Sequence, residues 1–203
     1  MKRRLLLFAT LAVAAVAAGA GAALLTRQAF QEYKPAIEIV SGKTLPDFTL
    51  TDQNGKPFSL STVRGKPVLL YFGYTHCPDV CPAVLSKFGR LAKELGSKSD
   101  QVVMIFVSVD PERDTVEAMR KYVSYYSPKI VALTGTPEEV KAVLQQYNVY
   151  AFKHPPDEKG NYLVDHYALV LAADRNHVLR AAFTPDAPFE EYLKGTEWLL
   201  SQR

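Results

Sequence analysis

The chain has 203 residues, 48% of them hydrophobic and 22% charged, which is enough for one domain with its own hydrophobic core. Its formal charge of +3 reflects 24 basic against 21 acidic residues, and the surplus comes from Lys2, Arg3 and Arg4 at the N-terminus. The rest of the chain is therefore electrically balanced. Because a nucleic-acid-binding protein needs a basic surplus to displace counterions from phosphate, we expect no nucleic-acid partner.

The N-terminal segment predicts export. The uncharged run "LLLFATLAVAAVAAGAGAALL" at residues 5–25 is close to the roughly 20 apolar residues that span a bilayer core. Cations precede this run and only Arg27 closely follows it, which places the body outside the cytoplasm. A cleaved signal peptide is the alternative, because small residues at 18–20 suit a signal peptidase. We predict a signal-anchor at 1–26, passing once through the inner cytoplasmic membrane, with the soluble domain on the periplasmic or extracytoplasmic side.

Beyond the anchor, residues 27–44 show little periodicity and are predicted to form a tether, with the folded domain at 45–203. The stretch "DFTLTDQNGKPFSL" predicts two short strands joined by an Asn-Gly turn. The run "PVLLYFG" at 67–73 is apolar throughout, as is typical of a strand buried on both faces. A helix is predicted after Pro82, through "AVLSKFGRLAKELG".

The second half continues to alternate strands and helices. The run "QVVMIFVSVD" at 101–110 predicts a second buried strand, and the helix after it is predicted to start with a capping box of Asp114 and Glu117. The stretch "IVALTG" predicts a strand, "TPEEVKAVLQQY" predicts a capped helix and "FKHPPDEKGNY" predicts a loop. The stretches "LVDHYALVLAA" and "HVLRAAF" then predict two strands around the turn "DRN", and a last helix is predicted at 188–201. This order predicts an α/β domain with a central mixed β-sheet covered by helices on both faces. It is compatible with a thioredoxin-like fold and with other three-layer folds.

The only two cysteines, Cys77 and Cys81, lie in "YFGYTHCPDVCP", between the first buried strand and its helix. A helix N-terminus favours thiolate, the form that attacks disulfides and binds metals. Thioredoxin-type motifs have two residues between the cysteines, whereas this motif has three. A disulfide needs β-carbons about 3.5–4.5 Å apart, whereas a metal lies between the sulfurs. The spacing favours a metal site over a reversible redox pair, and a purely structural disulfide is the least favoured reading.

Two thiolates suit the soft cation Cu(I), and a neutral imidazole is a natural third donor. Of the four histidines, His177 is predicted in a solvated turn and His154 in an exposed loop. His76, next to the first cysteine, is expected to point away from it. His166 follows Asp165 at the start of a predicted strand and is favoured narrowly, so the residues alone leave the choice open.

Four blocks, "LLYFGYTHCPDVCP", "FVSVDPERDT", "VALTGTPEEV" and "YLVDHYALVL", resemble the corresponding blocks of the Sco/SenC family of copper proteins. The resemblance covers roughly residues 45–200 in the same order. It implies a thioredoxin-like fold and one copper ion, as Cu(I) with Cu(II) as an alternative oxidation state, bound by Cys77, Cys81 and His166. Because imidazoles bound to a metal usually have an orienting partner, Asp165 is expected to orient His166.

The resemblance also implies a function: a copper-binding metallochaperone for the CuA centre in subunit II of cytochrome c oxidase, which binds and transfers without turnover. The alternative is a membrane-tethered thiol–disulfide oxidoreductase that keeps the CuA-site cysteines reduced, with Cys77 and Cys81 as its redox pair. The implied partners are subunit II, a copper donor and a thiol reductant of unknown identity, and the membrane through the anchor. His166 distinguishes the two functions, because copper binding needs it and dithiol exchange does not.

Overall fold

A mixed β-sheet runs through the computed structural model, which describes residues 33–40 and 42–202. Its eight strands are β1 (Ile37–Glu38), β2 (Thr49–Asp52), β3 (Pro57–Ser59), β4 (Val68–Gly73), β5 (Val103–Ser108), β6 (Ile130–Thr134), β9 (Val170–Ala173) and β10 (Leu179–Phe183). Strands β7 (Ala151–Lys153) and β8 (Val164–His166) form a separate antiparallel hairpin. The order of the large sheet is β1-β10-β9-β4-β5-β6-β2-β3.

The centre of the sheet is the parallel pair β4 and β5, in which every residue is buried. Strand β6 continues the parallel arrangement, whereas β9 joins β4 from the other side in antiparallel orientation. Continuous apolar runs are what a strand covered on both faces requires. The two buried strands predicted from the sequence are therefore confirmed.

Within the described residues, four α-helices and two short 3-10 turns accompany the sheet: α1 (Val80–Leu95), α2 (Val116–Ser124), α3 (Pro137–Gln146), α4 (Phe189–Ser201), Leu60–Val63 and Gly96–Gln101. Phe106 of β5 packs on Tyr122 of α2, with ring centroids 5.9 Å apart. Phe72 of β4 points to the other face and packs on Tyr147, at the C-terminal end of α3, with ring centroids 5.4 Å apart. Helices α1 and α4 contact each other. The prediction of helices on both faces is thus confirmed.

The helix starts test the predicted capping boxes. At α3 the side chain of Thr136 accepts a hydrogen bond from the Glu139 backbone and the Glu139 side chain accepts one in return, as predicted. At α2 the predicted box of Asp114 and Glu117 is wrong, because Thr115 is the N-cap. Asp114 is fully buried, and its carboxylate accepts hydrogen bonds from side chains in the interior instead of capping the helix.

The segment around His166 also differs from its prediction. The stretch "LVDHYALVLAA" was expected to be one strand, but residues 167–169 separate β8 from β9. Strand β7 overlaps the start of the stretch predicted to be a loop. Only β9 belongs to the large sheet, so His166 lies on the β7–β8 hairpin, outside the sheet.

The predicted anchor at 1–26 lies outside the described residues and stays a prediction. Within residues 33–40 and 42–202, no helix is long and apolar enough to cross a membrane. The predicted tether, 27–44, contains residues that pair with the sheet: β1 pairs with β10, and Thr44 bridges to Val178.

Gly89 tests how closely α1 packs. A β-carbon at this position would lie 2.6 Å from the carbonyl oxygen of Tyr126, a backbone atom that cannot rotate away. Alanine normally stabilises a helix interior by about 1 kcal/mol relative to glycine. Here we expect Gly89→Ala to lower the free energy of unfolding by about 1–3 kcal/mol, because the backbone must move. Urea unfolding monitored by circular dichroism measures the change.

Ser86→Ala is the matched control, since Ser86 lies on the same helix and is exposed. We expect this variant to be at least as stable as the parent protein. Equal stability of the two variants would contradict the close packing of α1 against Tyr126.

Candidate metal site

Three separate segments of the chain meet at one edge of the sheet. Because β4 and β5 are parallel, both end at this edge, and residues 74–79, here called the cysteine loop, follow β4. The antiparallel strand β9 begins at the same edge, where Val170 pairs with Tyr71. The segment before β9, which carries His166, therefore arrives next to the cysteine loop. Loops at the carboxyl ends of parallel strands are a common location for binding sites.

The meeting of these segments groups two sulfurs and one imidazole. The donor atoms of Cys77, Cys81 and His166 all lie within 4.8 Å of one another. The Cys81 Sγ and His166 Nε2 atoms are 3.6 Å apart. Cys81 is buried, whereas the other two residues are half-buried and face the outside. Among the residues that the structure describes, this is the one group of three histidine, cysteine or acidic side chains close enough to share a metal ion.

The two cysteines have unequal environments. Helix α1 begins at Val80, before the start predicted after Pro82, so Cys81 lies in its first turn and donates its backbone N–H to Cys77 Sγ at 3.5 Å. A hydrogen bond from the Cys81 thiol lowers the pKa of Cys77 well below its ordinary value, and the backbone N–H adds to this effect. The same thiol–thiolate contact, together with burial, raises the pKa of Cys81. Both cysteines are free, and the expected thiolate character belongs to Cys77 alone.

The buried sulfur of Cys81 depends on two residues of β4. The hydroxyl of Tyr71 donates to Cys81 Sγ at 3.4 Å. At Gly73 a β-carbon would lie 2.7 Å from the same sulfur, which is too close for any other residue. The glycine at the end of β4 is thus needed to make room for Cys81. Reading along the sequence did not reveal this, because a glycine at this position looks like an ordinary strand end.

The imidazole of His166 is oriented by a backbone group and two aromatic rings. Its Nδ1 lies 3.2 Å from the carbonyl oxygen of Tyr167. Because a carbonyl oxygen only accepts, the neutral ring carries its proton on Nδ1, and the lone pair of Nε2 faces the sulfurs. Tyr71 and Tyr74 pack edge-on against the imidazole, with centroid distances of 6.2 and 5.7 Å. The ring is therefore held in the tautomer that binds a metal through Nε2.

Asp165 does not orient His166, contrary to the expectation. Its carboxylate is 2.8 Å from Nε2 of His154, across the β7–β8 hairpin. Neighbouring residues of a strand point to opposite sides, so Asp165 and His166 face away from each other. The Tyr167 carbonyl contacts His166 Nδ1 in its place.

The remaining histidines lie outside the group. His76 bonds to the Thr75 hydroxyl at 2.9 Å and lines a neighbouring cavity. The prediction for His177 is wrong: it is 1% exposed, because the turn that contains it is covered by the segment at Leu45, whose N–H donates to the His177 carbonyl. Burial also lowers the pKa of His177. This turn follows β9 and lies at the opposite edge of the sheet from the cysteines.

Asp114 anchors the cysteine loop, a role that the sequence did not indicate. Its carboxylate accepts hydrogen bonds from the Thr75 hydroxyl at 2.6 Å and from the Thr75 backbone N–H at 3.2 Å. The Ser108 hydroxyl donates to it at 2.7 Å. Burial raises the pKa of Asp114, while the hydrogen bonds from Thr75 oppose the shift. The loop that carries Cys77 is thereby tied to the end of β5.

The donor set limits the metals that the site can hold. Two sulfurs and one imidazole nitrogen suit Cu(I), whereas Mg²⁺ and Ca²⁺ require oxygen ligands. Structural zinc sites use four protein ligands, and the group in the described residues offers three. The residues present therefore fit a copper ion. The same two sulfurs can also undergo disulfide exchange.

Comparisons with known sequences identify the family. The model of the family SCO1/SenC matches residues 39–201. The mitochondrial SCO2 homologue of Mus musculus is 43% identical over 148 residues, which are 72% of this chain and 54% of the mouse protein. A SCO2-like protein of Rickettsia conorii is 34% identical over 149 residues, or 73% of each chain. The chain thus spans about half the length of the mouse relative.

Comparison with solved structures supports the fold. ScoI of Bradyrhizobium japonicum, solved with copper bound, has a TM-score of 0.71 and 39% identity, over 78% of this chain and 98% of that chain. Together with the observed strand order, this likeness confirms the predicted thioredoxin-like fold with a mixed central sheet.

The unequal cysteines predict unequal reactivity. An ordinary thiol has a pKa of about 8.5, so its alkylation slows about tenfold per pH unit below that value. Because the pKa of Cys77 is lowered, we expect its alkylation by iodoacetamide to change little between about pH 6 and 8. Cys81 should stay unlabelled in the folded protein, since it is buried and its pKa is raised. Mass spectrometry of the labelled peptides measures both rates.

Cys81→Ala provides the comparison, because it removes the thiol that donates to Cys77. In this variant the pH dependence of Cys77 alkylation should shift towards that of an ordinary thiol. Comparable labelling of the two cysteines in the native protein would contradict the assigned asymmetry.

Proposed function

The chain belongs to the SCO1/SenC family, and from this premise we propose that it is a copper-binding metallochaperone. It binds one copper ion through Cys77, Cys81 and His166, as Cu(I) and also as Cu(II). It delivers this ion to the CuA centre in subunit II of cytochrome c oxidase. Copper is its cargo, and the protein acts by binding and transfer without catalytic turnover.

The observation that carries this proposal is the grouping of two sulfurs and the Nε2 lone pair within 4.8 Å. Two thiolates alone can hold Cu(I), but a third donor converts the pair into a site that also suits Cu(II). The related ScoI of Bradyrhizobium japonicum is known with copper bound, which supports the same cargo here.

The position of the site supports transfer rather than storage. Cys77 and His166 are half-buried at the edge of the sheet, whereas Cys81 is fully buried. A ligand of a partner protein can therefore approach the metal from the side of the two accessible donors. A bond to the incoming ligand can form before the bond to Cys81 breaks, so the copper is never released into solvent.

The proposed partners follow from this cargo and from the N-terminus. The copper is received from a donor protein and passed to subunit II of cytochrome c oxidase. We infer that residues 1–26 anchor the protein in the inner membrane and that residues 27–44 act as the tether, whose last residues, from β1 to Thr44, pair with the sheet. The soluble domain, 45–203, then works on the periplasmic or extracytoplasmic side, where the CuA domain is accessible.

One observation favours a second function, thiol–disulfide exchange. Cys77 combines a lowered pKa with partial exposure, and Cys81 is a buried thiol next to it. The Cys77 thiolate would attack a disulfide of the CuA site and release one of its thiolates. Cys81 would then attack the mixed disulfide and release the second. The CuA cysteines are thereby reduced, a Cys77–Cys81 disulfide is formed, and an external thiol reductant must regenerate the protein.

The variant His166→Ala separates the two functions. The imidazole completes the copper site, whereas disulfide exchange needs only thiolate, leaving group and access. In an anaerobic Cu(I) titration we expect the parent protein to bind one copper per chain. Cys77→Ser should lose tight binding. His166→Ala should bind Cu(I) at least tenfold more weakly (about 1.4 kcal/mol). The Cys77–Cys81 pair should still cycle in His166→Ala. His154→Ala, a nearby histidine outside the group, is the control and should bind copper normally.

The cellular test uses the same variants. If copper delivery is the function, cells that carry His166→Ala should make an oxidase that lacks CuA, and cells with His154→Ala should not. Normal CuA assembly with His166→Ala would overturn the metallochaperone proposal and favour the oxidoreductase.

A further inference from the structure

His166 lies on a hairpin that is not part of the large sheet, so its position depends on side-chain contacts. The contacts join the hairpin to two other segments: the cysteine loop and the residues after β5. We use the name hairpin clamp for the four side chains that make these contacts: Tyr74, Asp110, Arg113 and Tyr162. None of the four belongs to the group of donor atoms at the proposed copper site.

Arg113 is the centre of the hairpin clamp. Its Nε donates to Asp110 Oδ2 at 2.5 Å, and its Nη1 donates to the carbonyl oxygen of Tyr162 at 3.0 Å. The guanidinium also stacks on the Tyr162 ring, 3.4 Å from its centroid. The side chain is only 19% exposed. One residue thus holds the hairpin by hydrogen bonding and by stacking at the same place.

Asp110 closes the arrangement. It is 4% exposed, and while one carboxylate oxygen accepts from Arg113, the other accepts from the Tyr162 hydroxyl at 2.8 Å. A buried charge is costly unless it is paired and hydrogen-bonded, and here the two charges neutralise each other. Moving Tyr162 away would leave both ions with fewer partners. The hairpin is therefore held in one place rather than several.

Tyr74 makes the second attachment, from the cysteine loop. Its phenol oxygen accepts the backbone N–H of Val164 at 3.2 Å, and its ring packs edge-on against His166. The hairpin clamp thus holds the chain at Tyr162 and Val164, close before His166. Asp114 fixes the cysteine loop to the same segment after β5. The cysteine loop and the hairpin are therefore both attached to that segment.

We propose that the hairpin clamp positions His166 against the two sulfurs, with Arg113 as its central positioning residue. The hairpin clamp determines whether the site presents three donor atoms or only the two sulfurs. This inference rests on the proposed copper-binding function. Two thiolates satisfy Cu(I), which accepts linear coordination, whereas Cu(II) prefers nitrogen and oxygen ligands and more of them. Loosening the hairpin therefore weakens Cu(II) binding much more than Cu(I) binding.

The test is Arg113→Ala in the purified full-length protein. We expect Cu(II) affinity to fall at least tenfold, since residues that orient a ligand typically contribute about 10–100-fold to metal binding. Nitrogen coupling in the electron paramagnetic resonance spectrum of the Cu(II) form should weaken or disappear. Cu(I) affinity, measured by competition with a chelator, should fall less than Cu(II) affinity and less than in His166→Ala, because the imidazole is loosened rather than removed and both sulfurs remain. Free thiols are counted after copper removal, so that oxidation of the cysteines is not mistaken for weak binding.

Arg180→Ala is the matched control. Arg180 also pairs with a carboxylate, that of Asp174 at 2.7 Å, but it lies by the turn between β9 and β10, away from the site. This variant should leave both copper affinities and the spectrum unchanged. Equal effects of Arg113→Ala and Arg180→Ala, or an equal loss of Cu(I) and Cu(II), would overturn the positioning role.

Two milder variants keep the proposal testable if Arg113→Ala does not fold. Arg113→Lys keeps the charge but cannot reach Asp110 and the Tyr162 carbonyl with one planar group, so it should also weaken Cu(II) selectively. Tyr162→Phe removes only the hydroxyl that donates to Asp110 and should have a smaller effect of the same kind. If the parent protein binds copper and Arg113→Lys matches it, the positioning role alone is refuted. If the parent protein binds no copper, the proposed function fails and this inference fails with it.

Discussion

The parallel pairing of β4 and β5 is the constraint on which the site depends. Both strands are buried along their whole length, so their register and direction are strongly specified by the core. Because they run the same way, the chain leaves both of them at one edge. That edge receives the cysteine loop from β4 and the segment from Asp110 to Asp114 from β5. The antiparallel strand β9 then brings the hairpin with His166 to the same place.

Buried polar groups convert this meeting of loops into a fixed geometry. Asp110 and Asp114 are 4% and 0% exposed, and a carboxylate in such a place is tolerated only with partners. Asp114 takes its partners from the cysteine loop, and Asp110 takes its partners from Arg113 and Tyr162. Moving the cysteine loop or the hairpin away would remove hydrogen-bond partners from these carboxylates. The short segment after β5 therefore aligns two parts of the site without contributing a donor atom.

The geometry of the site suits both of the proposed functions. A thiolate at Cys77, a thiol at Cys81 and an unprotonated Nε2 serve a soft metal, and the first two also serve disulfide exchange. The two chemistries exclude each other at any moment, because a Cys77–Cys81 disulfide has no thiolate to offer. Only the imidazole is specific to metal binding. Several contacts of the fold orient the His166 imidazole, and this favours copper as the main ligand.

The buried strands, the capping box at Thr136 and the position of the two cysteines at the junction of a strand and a helix could be predicted along the sequence. These features depend on periodicity and on neighbours within a few residues, which can be read along the chain. The family resemblance added His166, which the residues alone favoured only narrowly. Three features became visible only in the folded chain: Asp114 holds the cysteine loop, "LVDHYALVLAA" is broken into two strands, and His177 is buried. Each of these is decided by contacts between residues far apart in the sequence, and local spacing carries no information about such contacts.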